Sequence, residues 1–92
     1  MKRYEVLLSE TARRHLNGIP PDLRSIVRSK LSELHEDPFR SRPNADIKKL
    51  KGPKKDYYRL RAGNYRAIYI IEGYNVLVAK ILPRDRAYDW IE

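Results

Sequence analysis

The sequence contains no cysteine, and it has only four glycines, one methionine, one tryptophan and one phenylalanine among its 92 residues. Without cysteine there is no disulfide framework, no thiolate nucleophile and no cysteine-based metal site. Long apolar runs are also missing: the longest, Ala67 to Ile71, is far shorter than the ~20 residues that a membrane helix needs. No apolar signal core follows Met1, so the sequence predicts a cytoplasmic protein with no contact to a membrane.

What the sequence has in excess is positive charge. Lys and Arg number 20 against 12 Asp and Glu, a formal net charge of +8. Residues 40–66 contain ten of the basic residues and two of the acidic ones, so this one segment carries the whole excess. A surface that serves only solubility mixes both signs, whereas a concentrated positive segment indicates a polyanionic partner. No basic amphipathic helix or lipidation signal accompanies it, which favours nucleic acid over a membrane surface.

The first half of the chain is predicted to be a short strand followed by two helices. The strand covers residues 4–8, and Ser9 is a suitable N-cap for a helix that runs to about Leu16 and ends at Asn17-Gly18. Pro20-Pro21 is suited to the entry of the second helix. One apolar stripe is expected on it, made of Leu23, Ile26, Val27, Leu31 and Leu34.

The second half is predicted to be a strand meander after an irregular connection. Residues 39–56 combine dense charge with Pro and Gly, so we expect no regular element there. Pro83 should end the last strand, and residues 84–92 are expected to form a short tail of about one helical turn. The strands are expected at 57–61, 65–71 and 76–82, joined by Gly-containing hairpins.

The predicted order, β-α-α-β-β-β, corresponds to an α+β fold in a single domain over residues 1–92. Two N-terminal helices would pack on one face of a mainly antiparallel sheet, which gives the apolar stripe a surface to bury against. The opposite face of the sheet would stay partly open.

Strand alternation places arginines on that open face. Leu60 belongs in the core, so Arg59 and Arg61 should point together to the other side. Arg66, near the start of the next strand, and Arg84, beyond the third, are expected to reach the same surface. Guanidinium groups match phosphate oxygens, and interleaved tyrosines can stack on unpaired bases. The same alternation also fits a solvated, charged face whose tyrosines only pack.

Other candidate motifs are weak. His15 and His35 have no partner at metal-ligand spacing and are expected to be ordinary surface or boundary residues. Ser9 fits a helix cap better than a nucleophile. Residues 52–55 lack the second glycine and the hydroxyl residue of a P-loop.

Three segments together resemble the RelE/ParE toxin superfamily. They are Lys49-Leu50-Lys51-Gly52, the stretch YRLRAGNYRAIY at residues 58–69, and Pro83-Arg84-Asp85-Arg86-Ala87-Tyr88. The resemblance covers essentially the whole chain and includes the predicted element order. It implies the toxin of a type II toxin–antitoxin pair.

The resemblance to the RelE branch implies a metal-independent endoribonuclease that needs no cofactor and cuts messenger RNA in the ribosomal A site. In that reaction a ribose 2′-OH attacks the adjacent phosphate, leaving a 2′,3′-cyclic phosphate and a 5′-OH. The expected partners are mRNA, the ribosome and a cognate acidic antitoxin in a heteromeric complex. The implied catalytic residues are Arg59, Arg61, Arg66, Arg84 and Tyr88, and the expected RNA-binding residues are Lys49, Lys51, Lys54, Lys55 and Arg86.

Three points stay open. Arg59 stands where the family often has Lys, and an arginine with a pKa above ~12 is a poor general base. The base is then Lys51, Lys54 or Lys55, or a group of the ribosome, or the enzyme relies mainly on charge stabilisation. The functional arginine after the last strand is Arg84 or Arg86, with the four-residue spacing to Tyr88 favouring Arg84. The ParE-like branch shares the fold and is associated with inhibition of DNA gyrase, which is the alternative function.

Overall fold

The structure is a computed structural model that describes residues 3–91, with the side chains of residues 88–91 outside the description. Its elements follow in an order close to the predicted one. The elements are β1 (Glu5–Leu8), α1 (Glu10–Asn17), α2 (Pro21–Ser32), a 3₁₀ turn (Glu33–His35), β2 (Ile47–Lys51), β3 (Asp56–Ala62), β4 (Tyr65–Glu72), β5 (Asn75–Pro83) and α3 (Arg84–Ile91).

The strands form one five-stranded sheet in the order β1-β5-β4-β3-β2. β1 runs parallel to β5, and the other neighbouring pairs are antiparallel. The predicted α+β class, with helices packed on a mainly antiparallel sheet, is confirmed. The structure has one strand and one helix more than the predicted order, so the observed order is β-α-α-β-β-β-β-α.

The added strand, β2, lies inside the segment that was predicted to be irregular, so that prediction was wrong for residues 47–51. β2 pairs with β3 in a register that joins Ile47 to Leu60 and Lys51 to Asp56. Three of its five residues are lysines, so the sequence shows no apolar alternation. A strand at the sheet edge tolerates this composition because charged edge residues face solvent and discourage pairing with other chains.

Helix α1 begins and ends where the sequence predicts. The Ser9 hydroxyl oxygen accepts a hydrogen bond from the Ala12 N–H, which is the N-cap contact. The same hydroxyl donates to the carbonyl of Ala79 at 2.7 Å. Ala79 occupies the register shift where β4 and β5 depart from regular pairing. Ser9 therefore caps α1 and ties it to the bulge in β5.

The apolar stripe of α2 is narrower than predicted. Val27, Leu31 and Leu34 are buried, whereas Ile26 is 47% exposed. Successive helical residues lie about 100° apart, and the row that faces the sheet runs through Val27 and Leu31. Ile26 lies to one side of this row, so its inclusion in the buried stripe was wrong.

The core lies between α1, α2 and one face of the sheet. Leu60 and Tyr69 are fully buried there, on adjacent strands. The Tyr69 hydroxyl donates to the carbonyl of Pro38 at 2.7 Å, which satisfies its hydrogen bond inside the core. Burial raises the pKa of Tyr69 well above its ordinary value, with a further contribution from Tyr58, so the phenol stays neutral.

The C-terminal helix is longer than predicted, with eight residues instead of one turn. It contacts β4 and β5, and its Ala87 is only 1% exposed. Its first residue, Arg84, donates its backbone N–H to the carbonyl of Asn64 in the β3–β4 turn. The end of the chain is thereby anchored to that turn. In the described part of the chain, no helix is long and apolar enough to cross a membrane.

Candidate functional site

The predicted arginines meet at one end of the sheet, around the turn between β3 and β4. We call Arg59, Arg61, Arg66 and Arg84 the basic cluster. Arg61 on β3 lies directly opposite Arg66 on β4, and directly opposed residues project from the same face of a sheet. That face is the one turned away from α1 and α2, because the alternating residues Tyr58 and Leu60 are buried in the core.

A carboxylate that the sequence analysis did not select joins two members of the cluster. Asp46, just before β2, places one oxygen 3.4 Å from the Arg59 guanidinium and the other 3.3 Å from that of Arg61. The prediction that Arg59 and Arg61 lie side by side is confirmed by this shared partner. The two differ in exposure, since the side chain of Arg59 is 14% exposed and that of Arg61 is 54% exposed.

Arg66 is buried, with 4% of its surface exposed, so the expectation that it lies on an open surface was wrong. Its guanidinium folds back on the β3–β4 turn and donates to the carbonyls of Gly63 and Tyr65, both at 2.9 Å. These two hydrogen bonds hold the guanidinium against the backbone of the turn. Arg66 therefore supports the turn that carries the rest of the cluster.

The three predicted site residues that follow β5 all belong to α3. Arg84 and Arg86 are both exposed on the first turn of α3. The hydrogen bond from the Arg84 backbone to Asn64 places Arg84 beside the β3–β4 turn and hence beside the cluster. Tyr88 belongs to α3, but the position of its side chain lies outside the described residues.

The predicted RNA-binding lysines do not join the cluster. Lys49 and Lys51 alternate with Lys48 on β2 and share the face of the buried Ile47, on the helix side of the sheet. Lys49 pairs there with Asp56 at 3.3 Å. The sequence spacing suggested one continuous basic region, but alternation along an unrecognised strand separates these lysines from Arg59 and Arg61.

Lys54 and Lys55 lie in the turn between β2 and β3, at the other end of the hairpin from Arg61. Lys55 and Arg61 are six positions apart along extended chain, which corresponds to about 20 Å. The ten basic residues of segment 40–66 therefore do not form one patch. Its residues Lys49, Lys51, Lys54 and Lys55 lie on the helix side of the sheet or at the far end of the β2–β3 hairpin.

Two lysines outside the predicted set lie on the same face as the cluster. Lys48 is directly opposite Arg59 across the β2–β3 pair, and Lys80 is directly opposite Ile68 across the β4–β5 pair. Recognition of β2 as a strand would have selected Lys48. The bulge at Ala79 shifts the register of β5, so Lys80 could not be assigned to a face by alternation alone.

A further part of this face is apolar. Leu7, Tyr57, Ile70 and Leu77 line a groove of about 330 Å³ next to β1. Leu7 is 46% exposed. The open side of the sheet thus has an apolar end near β1 and a basic end near the β3–β4 turn, which suits a ligand or partner with both characters.

Both histidines bind backbone groups, as expected of ordinary boundary residues. The Nδ1 atom of His35 donates to the carbonyl of Tyr4 at 2.8 Å, since a carbonyl can only accept. The Nδ1 atom of His15 instead accepts the N–H of Ile81 at 3.2 Å and so must be unprotonated. Burial lowers the pKa of His15, and the positive charges of Lys80, Arg14 and Arg86 lower it further.

Comparison with known proteins agrees with the arrangement of elements described above. A family described as "ParE toxin of type II toxin-antitoxin system, parDE" matches residues 6–88. Toxin RelE3 of Methanocaldococcus jannaschii is 30% identical over 86 residues, which cover 94% of this chain and 97% of that protein.

Two solved structures have the same fold over nearly their full length. The RelE–RelB complex from Pyrococcus horikoshii OT3 contains a chain with 28% identity and a TM-score of 0.76, and the match covers 91% of this chain and 98% of that one. The toxin–antitoxin complex RelBE2 from Mycobacterium tuberculosis gives 27% identity and a TM-score of 0.75, with coverage of 89% and 99%. The chain therefore belongs to the RelE/ParE superfamily, the RelE-like toxins of type II toxin–antitoxin systems.

Proposed function

We propose that this chain is a ribosome-dependent endoribonuclease that cuts messenger RNA in the A site and thereby stops translation. The observation that supports this proposal best is the pair Arg59 and Arg61 on the face of the sheet that α1 and α2 leave open, with Arg84 beside the adjacent β3–β4 turn. Guanidinium groups placed side by side match the charge and the oxygen atoms of a phosphate.

The proposed reaction is attack of a ribose 2′-OH on its neighbouring phosphate, giving a 2′,3′-cyclic phosphate and a 5′-OH end. The negative charge that develops on the phosphorus oxygens is the main electrostatic demand of this step. Arg59 and Arg61 meet it as permanent cations, because a guanidinium does not lose its proton near neutral pH. Arg84 extends the cationic surface along the RNA backbone, and Tyr88 is proposed to orient a base by stacking.

The decisive experiment is primer extension on messenger RNA in a reconstituted translation system, with and without the protein. New ends in the A-site codon that require ribosomes are expected. Arg61→Ala and Arg84→Ala should each lower the cleavage rate by about 10²-fold, the usual effect of losing one preorganised donor. Arg28→Ala is the matched control, because Arg28 is exposed on α2 at the opposite side of the sheet and loses the same charge.

Arg66→Ala is a poor choice for this experiment, since Arg66 is buried and holds the β3–β4 turn. Its effect on folding would be mixed with any effect on cleavage. Equal activity of the wild-type protein, Arg61→Ala and Arg84→Ala would refute the proposed role of the basic cluster.

Inhibition of DNA gyrase is the second candidate function, and the match to the ParE toxin family supports it. Intact message together with inhibited gyrase supercoiling would assign this activity to the chain. The basic cluster would then be a binding surface without a catalytic role.

The partner proposed for either activity is an acidic antitoxin. The chain carries a net charge of +8, and opposite charge on the antitoxin would favour fast and selective association. Similar chains have been solved in RelE–RelB complexes. We propose that the antitoxin covers the open face of the sheet and that the complex is present in the cytoplasm.

A further inference from the structure

We propose that Asp46 sets the affinity of the basic cluster for an RNA phosphate, because in the free protein its carboxylate occupies the guanidinium groups that the phosphate would bind. The inference rests on the proposed function and identifies the position of one phosphate group within that site. It also assigns a role to a residue that sequence patterns did not select.

The contacts of Asp46 resemble those that a phosphate would make. One carboxylate oxygen lies 3.4 Å from Arg59, and the other lies 3.3 Å from Arg61. Carboxylates and phosphates are both recognised by guanidinium forks through pairs of oxygen atoms. The point between Arg59 and Arg61 is therefore an oxyanion site, and a side chain of the protein fills it.

The carboxylate is held at this point by its own backbone. The carbonyl of Asp46 accepts the N–H of Arg61 at 2.9 Å, which joins the segment before β2 to β3. On either side, Ala45 pairs with Arg42, and the N–H of Ile47 donates to the Ser41 hydroxyl. Because these bonds involve the main chain, substitution of the Asp46 side chain should leave the segment in place.

The two ion pairs are nevertheless easy to exchange. Both distances exceed the ~2.7–2.9 Å of strong charge-assisted hydrogen bonds. The Asp46 side chain is 46% exposed, so water screens its attraction to the two guanidinium groups. A phosphate with more negative charge and more acceptor oxygens can therefore displace the carboxylate.

Burial of Arg59 explains why an acidic residue is useful there. With 14% of its side chain exposed, the Arg59 guanidinium is largely removed from water and needs a counter-charge. Asp46 supplies this counter-charge when no ligand is bound. Loss of the carboxylate should consequently destabilise the free protein while it strengthens phosphate binding, and this pair of opposite effects distinguishes competition from a merely structural role.

The test compares Asp46→Asn with Asp56→Asn. Asp56 is also half exposed, at 45%, and it also pairs with a cation, Lys49 at 3.3 Å. Both variants raise the net charge by one and replace the carboxylate with a group of the same shape. Any gain that comes from overall charge will thus be shared, and only a local effect will separate the two.

The probe is a labelled single-stranded RNA of twelve nucleotides with 2′-O-methyl groups, which cannot be cleaved by 2′-OH attack. Its affinity is measured by fluorescence anisotropy at several KCl concentrations. We expect Asp46→Asn to bind about three- to tenfold more tightly than Asp56→Asn, which corresponds to the loss of one partly exposed competing ion pair. Thermal unfolding should show a lower Tm for free Asp46→Asn and a larger rise in Tm on addition of the RNA.

Equal affinities of the two variants, or weaker binding by Asp46→Asn, would overturn the inference. Primer extension with ribosomes tests the proposed function separately. Cleaved message with no difference between the variants would overturn only the role of Asp46. Tighter binding by Asp46→Asn with intact message would overturn the nuclease function and leave the phosphate subsite supported. No binding by any of the folded proteins would refute the phosphate subsite, and primer extension alone would then decide the proposed function.

Discussion

The arginines of the basic cluster differ in how far their side chains are exposed and in what they contact. Arg61 is more than half exposed, Arg59 is nearly buried, and Arg66 is turned inward on the carbonyls of the β3–β4 turn. Residues of one type thus divide into Arg59 and Arg61, which pair with Asp46, and Arg66, which supports the turn. Alternation along a strand indicates the face of a side chain, but it does not reveal which way a long guanidinium folds once it reaches that face.

His15 should make the stability of the protein depend on pH. Its pKa is lowered in the folded state, so the unfolded chain binds the proton more readily. The contribution of neutral His15 to stability should then be fully present above the unfolded pKa of about 6.5. It should be lost as the pH falls from there through the lower pKa of the folded protein. The physical cause is direct: a protonated Nδ1 can no longer accept the N–H of Ile81.

The measurement is thermal unfolding between pH 7.5 and pH 5, for the wild-type protein and His15→Asn. The Asn side-chain oxygen can accept the same N–H but does not titrate, so the variant should lose part of the decrease in Tm at low pH. His35 is present in both proteins, so the difference between the two profiles reports on His15 alone. Identical pH profiles for the two proteins would contradict a role for His15.

At the scale of elements, the β3–β4 turn organises the site. Arg61 and Arg66 flank it, and the backbone of Arg84 is hydrogen-bonded to its Asn64. The turn depends on Gly63, which has a φ of +62°, a conformation that residues with a Cβ rarely adopt. The positive φ of Gly63 therefore helps to set the relative positions of β3, β4 and α3.

Gly63→Ala should destabilise the fold by about 1–2 kcal/mol through the strain of a left-handed conformation. Gly18→Ala is the matched control, because Gly18 has a φ of −83° and an added Cβ would make only ordinary contacts there. That substitution should be neutral or stabilise by up to about 1 kcal/mol. Urea denaturation measures both changes, and a Gly63→Ala variant as stable as Gly18→Ala would show that the turn tolerates a side chain.

Over the whole molecule, the positive charge is less concentrated than its position in the sequence suggests. Lys49 and Lys51 lie on the helix side of the sheet, and Lys54 and Lys55 lie at the far end of the β2–β3 hairpin. The cluster near the β3–β4 turn is consequently a small cationic site. The remaining charge is spread around the molecule, where it attracts polyanions at longer range without fixing their orientation.

Binding of the twelve-nucleotide RNA should therefore weaken strongly with salt. Each phosphate contact on a single strand contributes about −0.7 to the slope of log K against log salt concentration. Arg84→Ala should make the slope shallower by about this amount, whereas Arg28→Ala on the opposite side should leave it nearly unchanged. Anisotropy titrations at four KCl concentrations measure the slopes, and equal slopes for both variants would exclude a direct phosphate contact by Arg84.

The sequence by itself determined the features that depend on local chemistry. Ser9 predicted the start of α1, the glycines predicted the hairpins, and alternation predicted that Arg59 and Arg61 share a face. These predictions succeeded because caps, positive φ angles and strand alternation depend on residues that are adjacent along the chain. The distinctive segments around the hairpin also identified the superfamily.

Only the tertiary structure decided which distant residues meet. β2 forms because β3 offers it an unpaired edge, although its lysines show no strand pattern. Asp46 lies between two arginines because β2 and β3 pair in one register, and that register fixes which residues 13 and 15 positions apart come together. Arg66 is buried, and its guanidinium donates to the carbonyls of Gly63 and Tyr65 in the turn. Such contacts depend on pairing across the sheet, and a single sequence does not record that pairing.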